Sequence, residues 1–244
     1  MFENVPDFPV VYVPWEGVDP DDAVRLGASW LAEQPGEPLV LMAAKKSYSN
    51  NRLLPVLTVG ARVEAPQTTW KAGWGGGPVL APWPSEPVLA HLSDELAGKV
   101  SAVCIIEWGT KEFVSAWLVA HNATNLLTGE EQESESLLSP VVEVAMRHLS
   151  DAVNHNNGLV QYYEKAYAVR TLQELVRAGY RYDVDNLCAW ALGNGFTESE
   201  VKHLRDYGTR ALEGRSFHLR EQVGPRKDAV KRWEQEAQQL DSGM

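Results

Sequence analysis

The sequence predicts an α/β domain, a mostly parallel sheet of about five strands with helices on both faces, followed by an all-α domain. Three observations carry this reading. Short apolar runs alternate with amphipathic stretches through the first 130 residues. From Leu137 onward the apolar residues keep helical spacing throughout. Between the two patterns lies the polar, acidic segment 128–135 (TGEEQESE), read as a solvated linker, which sets the domains at 1–130 and 131–244.

The expected strands are Val10–Val13 (VVYV), 38–43 (PLVLMA), 56–63 (VLTVGARV), 78–81 (PVLA) and 100–106 (VSAVCII). Most are continuously apolar rather than alternating, the pattern of strands covered on both faces. The helix at 20–33 opens with Asp19 as N-cap and Pro20 at the first helical position, and its apolar residues Ala23, Leu26, Gly27, Trp30 and Leu31 fall on one side. A second helix, 85–96, is capped by Ser85. A third, 111–127, follows Thr110 and stops at Gly129. Strand–helix–strand order of this kind builds a parallel sheet through right-handed crossovers.

In the second domain the stripe Leu137, Leu138, Val141, Val142, Ala145, Met146, Leu149, Val153 marks a helix that stops at Asn154-His155-Asn156-Asn157-Gly158. Helices are also expected at 159–178 and 184–192. Another follows Thr197, where Glu200 three residues on completes a capping box. A charged helix at 225–240 ends the chain.

Charge is unevenly spread. The formal net charge is −11, of which residues 1–150 carry −10. An acidic first half repels phosphate backbones and weighs against nucleic-acid binding there. No apolar run approaches the roughly 18 residues of a membrane span, and the N-terminus has no signal-peptide pattern. Cys104 and Cys188 sit among apolar residues and read as small buried hydrophobes, so the expected location is cytoplasmic. No membrane partner, metal or cofactor is expected.

Three expected strands each run into a tryptophan beside an acid: Trp15 with Glu16, Trp83 with Glu86, and Trp108 with Glu107 and Lys111. In a parallel sheet these strand ends share the carboxyl edge, where ligands bind. Indole rings stack on planar groups and cations, although such rings also serve simply to cap a core. The segment 45–52 (KKSYSNNR) follows an expected strand to the same edge. Its Lys45, Lys46, Tyr48 and Arg52 form the one basic cluster of the acidic half, a candidate contact for an anion. The glycine-rich stretch 71–77 (KAGWGGG) precedes a strand rather than opening a helix, so it reads as a flexible loop on which Lys71 and Trp74 travel like a lid. Neither the dinucleotide-binding glycine fingerprint nor a P-loop is present.

In the helical half, His148, Asp151 and His155 recur at a spacing that gathers metal ligands, but no further motif supports a metal. The hairpin at 187–207 has a tight GNGF turn and offers Lys202, His203, Arg205 and, just beyond, Arg210 to nucleic acid. Glu198, Glu200 and Asp206 dilute that positive face.

The first expectation for function is a non-catalytic ligand-binding or scaffolding protein. Its carboxyl-edge crevice takes a small anionic or nucleotide-like molecule, and its helical half meets a protein partner or a second copy. An enzyme using Glu16, Glu107 or Lys111 for proton transfer at the same edge comes second. A DNA-binding regulator acting through the 187–207 hairpin comes third.

Overall fold

The computed structural model describes residues 8–69, 73–94, 96–109, 112–132 and 137–242. The chain divides into two compact units, Met1–Ser134 with Gly193–Gly195, and Glu135–Leu192 with Phe196–Met244.

The first unit is an α/β domain. Its elements are β1 (Val10–Val13), α1 (Pro20–Glu33), β2 (Leu39–Leu41), a 3-10 helix (Lys45–Asn50), α2 (Leu54–Leu57), β3 (Arg62–Glu64), β4 (Gly77–Pro82), α3 (Glu86–Ser93), β5 (Val100–Ile106), α4 (Glu112–Ala120) and β6 (Thr124–Asn125). Six strands form one sheet in the order β3-β2-β4-β5-β1-β6, and every ladder is parallel. Asp19 caps α1, its carboxylate accepting from the Asp21 amide at 2.9 Å, with Pro20 beginning the helix.

Gly27 lets α1 lie close on the sheet: a Cβ there would stand 2.9 Å from both Leu80 Cδ1 and Ile106 Cδ1. Around that contact Val13, Val24, Leu31, Val40, Leu54, Leu80, Cys104 and Ile106 form one core. The alternate strand residues Leu39, Leu41, Val79, Ala81, Val103 and Ile105 are equally buried on the other face of the pleat. Helices α3 and α4 pack together, with Trp117 Nε1 donating to Ser93 Oγ at 2.8 Å.

Four expectations change here. Residues 56–63 do not make one strand. Asn51 Oδ1 accepts from the amides of Leu53 and Leu54, Pro55 fits a first helical turn, and Gly60 (φ +90°) turns the chain, so α2 forms before the short β3. Val56 and Val59 are left exposed. The helix expected to Leu127 stops at Ala120, because Asn122 takes φ +47° and the Ala123 amide donates back to Leu118 O, a left-handed helix stop. The freed residues make a sixth strand, β6. The start of the expected linker is also tied to it: Thr124 and Glu131 form an antiparallel bridge. Thr110 and Lys111, at the expected start of the third helix, lie outside the described residues.

The second unit is helical: α5 (Pro140–Ala152), a 3-10 turn (His155–Asn157), α6 (Tyr162–Arg177), α7 (Val184–Gly193), α8 (Glu198–Leu212) and α9 (Ala229–Ser242). Helix α5 packs on α6 and α9, and α6 on α8. Thr197 and Glu200 make the expected capping box at α8. Ala229, Trp233 and Ala237 are the buried stripe of α9. No helix among the described residues is long and apolar enough to cross a membrane.

Candidate functional site

The register aligns the carboxyl ends of three neighbouring strands: Val13 of β1 beside Ile106 of β5, and Ile106 beside Pro82 of β4. The ladder continues one step beyond, with the Glu107 amide donating to Val13 O and the Trp83 amide to Ile106 O. Trp15, Trp108 and Trp83 therefore leave the sheet side by side. The Trp15 and Trp108 ring centroids lie 4.9 Å apart and the Trp108 and Trp83 centroids 6.0 Å apart, the latter pair edge to face. Trp83 holds φ +53°, a left-handed conformation that a bulky residue adopts only under constraint. Trp15 is 38% and Trp108 48% exposed, high for indoles already in contact with one another.

The place matters topologically. From β1 the chain runs through α1 to β2, three positions toward the β3 edge. From β5 it runs through α4 to β6 at the opposite edge. Right-handed crossovers leaving in opposite directions go to opposite faces, so the ends of β1 and β5 form a topological switch point.

Glu107 stands at this switch point. Its Oε2 accepts from the Trp15 amide at 3.3 Å. Burial holds its pKa above the ordinary carboxylate value, against the Trp15 N–H and with the help of nearby Glu16. Tyr12 is likewise raised by burial, with Glu107 and Glu130 adding to the effect, so the edge has negative potential. Glu16 is exposed, and Glu86 is half-buried in the first turn of α3. Lys111 lies outside the described residues.

The other candidates fall elsewhere. Lys45 Nζ meets Glu64 Oε2 at 2.6 Å, and Arg52 meets Asp21 Oδ2 at 2.7 Å. Both cations are counterions of their own unit, and the basic cluster expected to receive an anion is largely neutralised. Tyr48 hydrogen-bonds Thr58 Oγ1 at 2.7 Å; Lys46 remains exposed. The lid reading of 71–77 is overturned for Trp74. It is 4% exposed, donates from Nε1 to Glu37 O at 2.8 Å, and precedes β4 at the amino edge, opposite the edge of Trp15, Trp83 and Trp108. Gly77 is pressed on Glu37, where a Cβ would meet the carbonyl oxygen at 2.6 Å, so its glycine serves packing rather than motion. Lys71 lies outside the described residues.

In the helical unit Arg205 is paired with Asp185. Arg210 pairs with Asp206 at 3.4 Å, donates to Ser216 O and covers the Phe217 ring. His203 bonds Ser199 O, which leaves Lys202 as the exposed cation of the expected nucleic-acid face. His148 pairs with Glu236 and His155 with Glu200, so the spacing of His148, Asp151 and His155 gathers no common site among the described residues.

One constellation was not legible in the sequence. His155 Nδ1 lies 3.0 Å from both carboxylate oxygens of the fully buried Glu200, and its Nε2 lies 3.1 Å from Ser150 Oγ. The connectivity is that of a Ser–His–Glu triad. Hydrogen bonding to Glu200 raises the His155 pKa, and the Ser150 backbone assists. Ser150 also lies in the last turn of α5, where the helix dipole opposes an oxyanion. The group is a hydrogen-bonded tie, its carboxylate buried, between the end of α5 and the start of α8.

Residues 138–234, about 40% of the chain, match a family model described as a domain of unknown function (DUF1889); the match runs from the start of α5 into α9. No curated protein and no solved structure matches the chain.

Proposed function

We propose that the α/β unit is a non-catalytic small-molecule-binding module whose ligand stacks on Trp15 and Trp108 at the β1–β5 switch point. The convergence of three tryptophans from three adjacent strand ends, two of them exposed, carries this reading. The ligand is a planar, nitrogen-bearing ring such as a nucleobase, neutral or cationic. Glu107 and Glu16 supply acceptors and negative potential, and Lys45 and Arg52 already have partners. This keeps the base-like part of the expected ligand and reverses its charge. The two free, buried thiols suit a reducing, cytoplasmic setting.

Tryptophan fluorescence during titration with adenosine, the cationic nucleoside 1-methyladenosine and adenosine monophosphate tests the proposal. Saturable quenching is expected, strongest with the cation and weakest with the phosphate. It should weaken at least tenfold in Trp108→Ala, about 1.4 kcal/mol. Affinity for the cation should rise with pH as Glu107 ionises, and Glu107→Gln should flatten that rise. Equal affinity in the wild type and Trp108→Ala would sink the reading. An enzyme at this edge is the second reading, favoured by the raised pKa of Glu107. Turnover of a bound nucleoside that is lost in Glu107→Gln would establish it.

A further inference from the structure

In the helical unit the segment between α8 and α9 runs past the start of α6. There Val160, Tyr162, Lys165, His218, Leu219 and Arg220 line an open surface cavity of about 230 Å³. That is smaller than the pockets that take drug-sized ligands and suits a small charged group. Its lining holds two permanent cations and a histidine, and no carboxylate.

Arg177, Arg205, Arg210 and Arg215 of the same unit all have carboxylate partners. Lys165 and Arg220 have none among the described residues. Lys165 is half-buried, with Nζ 6.0 Å above the Tyr207 ring. Its sequence neighbour Glu164 points inward, accepting from Asn157 Nδ2 at 2.7 Å. Arg220 lies over the Tyr162 ring, 4.6 Å from its centroid, and donates to the Tyr162 hydroxyl. That contact uses one N–H, fixes the guanidinium plane, and leaves the hydroxyl hydrogen and the other guanidinium donors free. Val160 and Leu219 supply apolar walls.

We propose that this cavity is a binding site for a phosphate monoester. Lys165 and Arg220 neutralise the dianion, Tyr162 and His218 add hydrogen bonds, and the organic part of the ester rests on Val160 and Leu219. The mode is charge-assisted hydrogen bonding to a group bearing close to two negative charges. It is independent of the tryptophan edge.

Amide chemical shifts of the isotope-labelled full chain, followed during titration with phenyl phosphate, inorganic phosphate and benzoate, test it. Phenyl phosphate should give saturable shifts confined to 160–165 and 218–220. Inorganic phosphate should bind more weakly at the same residues, and benzoate at least tenfold more weakly. Lys165→Met and Tyr162→Phe, both at partly exposed positions, should each weaken phenyl phosphate several-fold. Arg220→Met should abolish it while thermal melting shows the fold intact, and Trp108→Ala should leave it unchanged. The proposal fails if phenyl phosphate gives no saturable shift, if Lys165→Met and Tyr162→Phe both bind as the wild type does, or if benzoate binds equally well.

Discussion

His121 shows what a single buried ring does to acid stability. It stacks on Trp117 with centroids 3.9 Å apart and on Phe8 at 5.9 Å. Its Nδ1 lies 2.9 Å from Trp117 O, while the buried Nε2 has no hydrogen-bond partner among the described residues. Burial drives its pKa down to about 4 from 6.5, so the folded protein keeps the ring neutral. Between those values the unfolded chain binds a proton that the folded chain refuses. The contribution is therefore present above pH 6.5 and is lost as the pH falls toward 4. The full effect is about 3 kcal/mol. His121→Phe should remove it, so urea midpoints measured from neutral pH down to pH 4 should fall less steeply in the variant than in the wild type. Equal slopes would show that His121 titrates freely in the folded state.

At the scale of elements, the tie between α5 and α8 titrates in the opposite sense. A histidine whose folded pKa is raised contributes fully below the unfolded value, about 6.5. That contribution disappears as the pH rises through the folded value. Glu200→Gln keeps the shape of the α8 cap but removes the charge that holds His155. Its stability should lose the decline expected of the wild type on the alkaline side of pH 6.5; an unchanged decline would place that titration elsewhere. How legible such elements are depends on how local their causes are. Helix α1 and the capping box of α8 are written in adjacent residues, Asp19-Pro20 and Thr197 with Glu200, and both form where the sequence puts them. So are β1 and β5, whose apolar runs set their ends. The Asn51 cap with Pro55, and the left-handed Asn122, are local too, but they oppose the β-rich and apolar patterns around them, and those patterns misled. The tryptophan edge was readable because each ring follows its own strand. His155–Glu200 spans 45 residues and the Arg220–Tyr162 contact 58, and no local pattern announces either.

At the scale of the molecule, each unit has its own buried core: Val13, Leu80, Cys104 and Ile106 in one, Met146, Leu172, Leu187 and Leu204 in the other. Differential scanning calorimetry should resolve two transitions, with Trp108→Ala shifting one and Glu200→Gln the other. A single transition moved by both variants, with equal calorimetric and van't Hoff enthalpies, would show one cooperative unit. The tryptophan edge adds an optical property of its own. Indoles held 4.9 Å and 6.0 Å apart and inclined at 55° and 78° are neither parallel nor independent as chromophores. Their transitions mix into exciton states, so part of the protein's far-ultraviolet dichroism comes from ring geometry rather than backbone. A spectrum deconvoluted for helix and strand alone will misjudge both, and the size of that error is itself a gauge of whether the three rings still stand together.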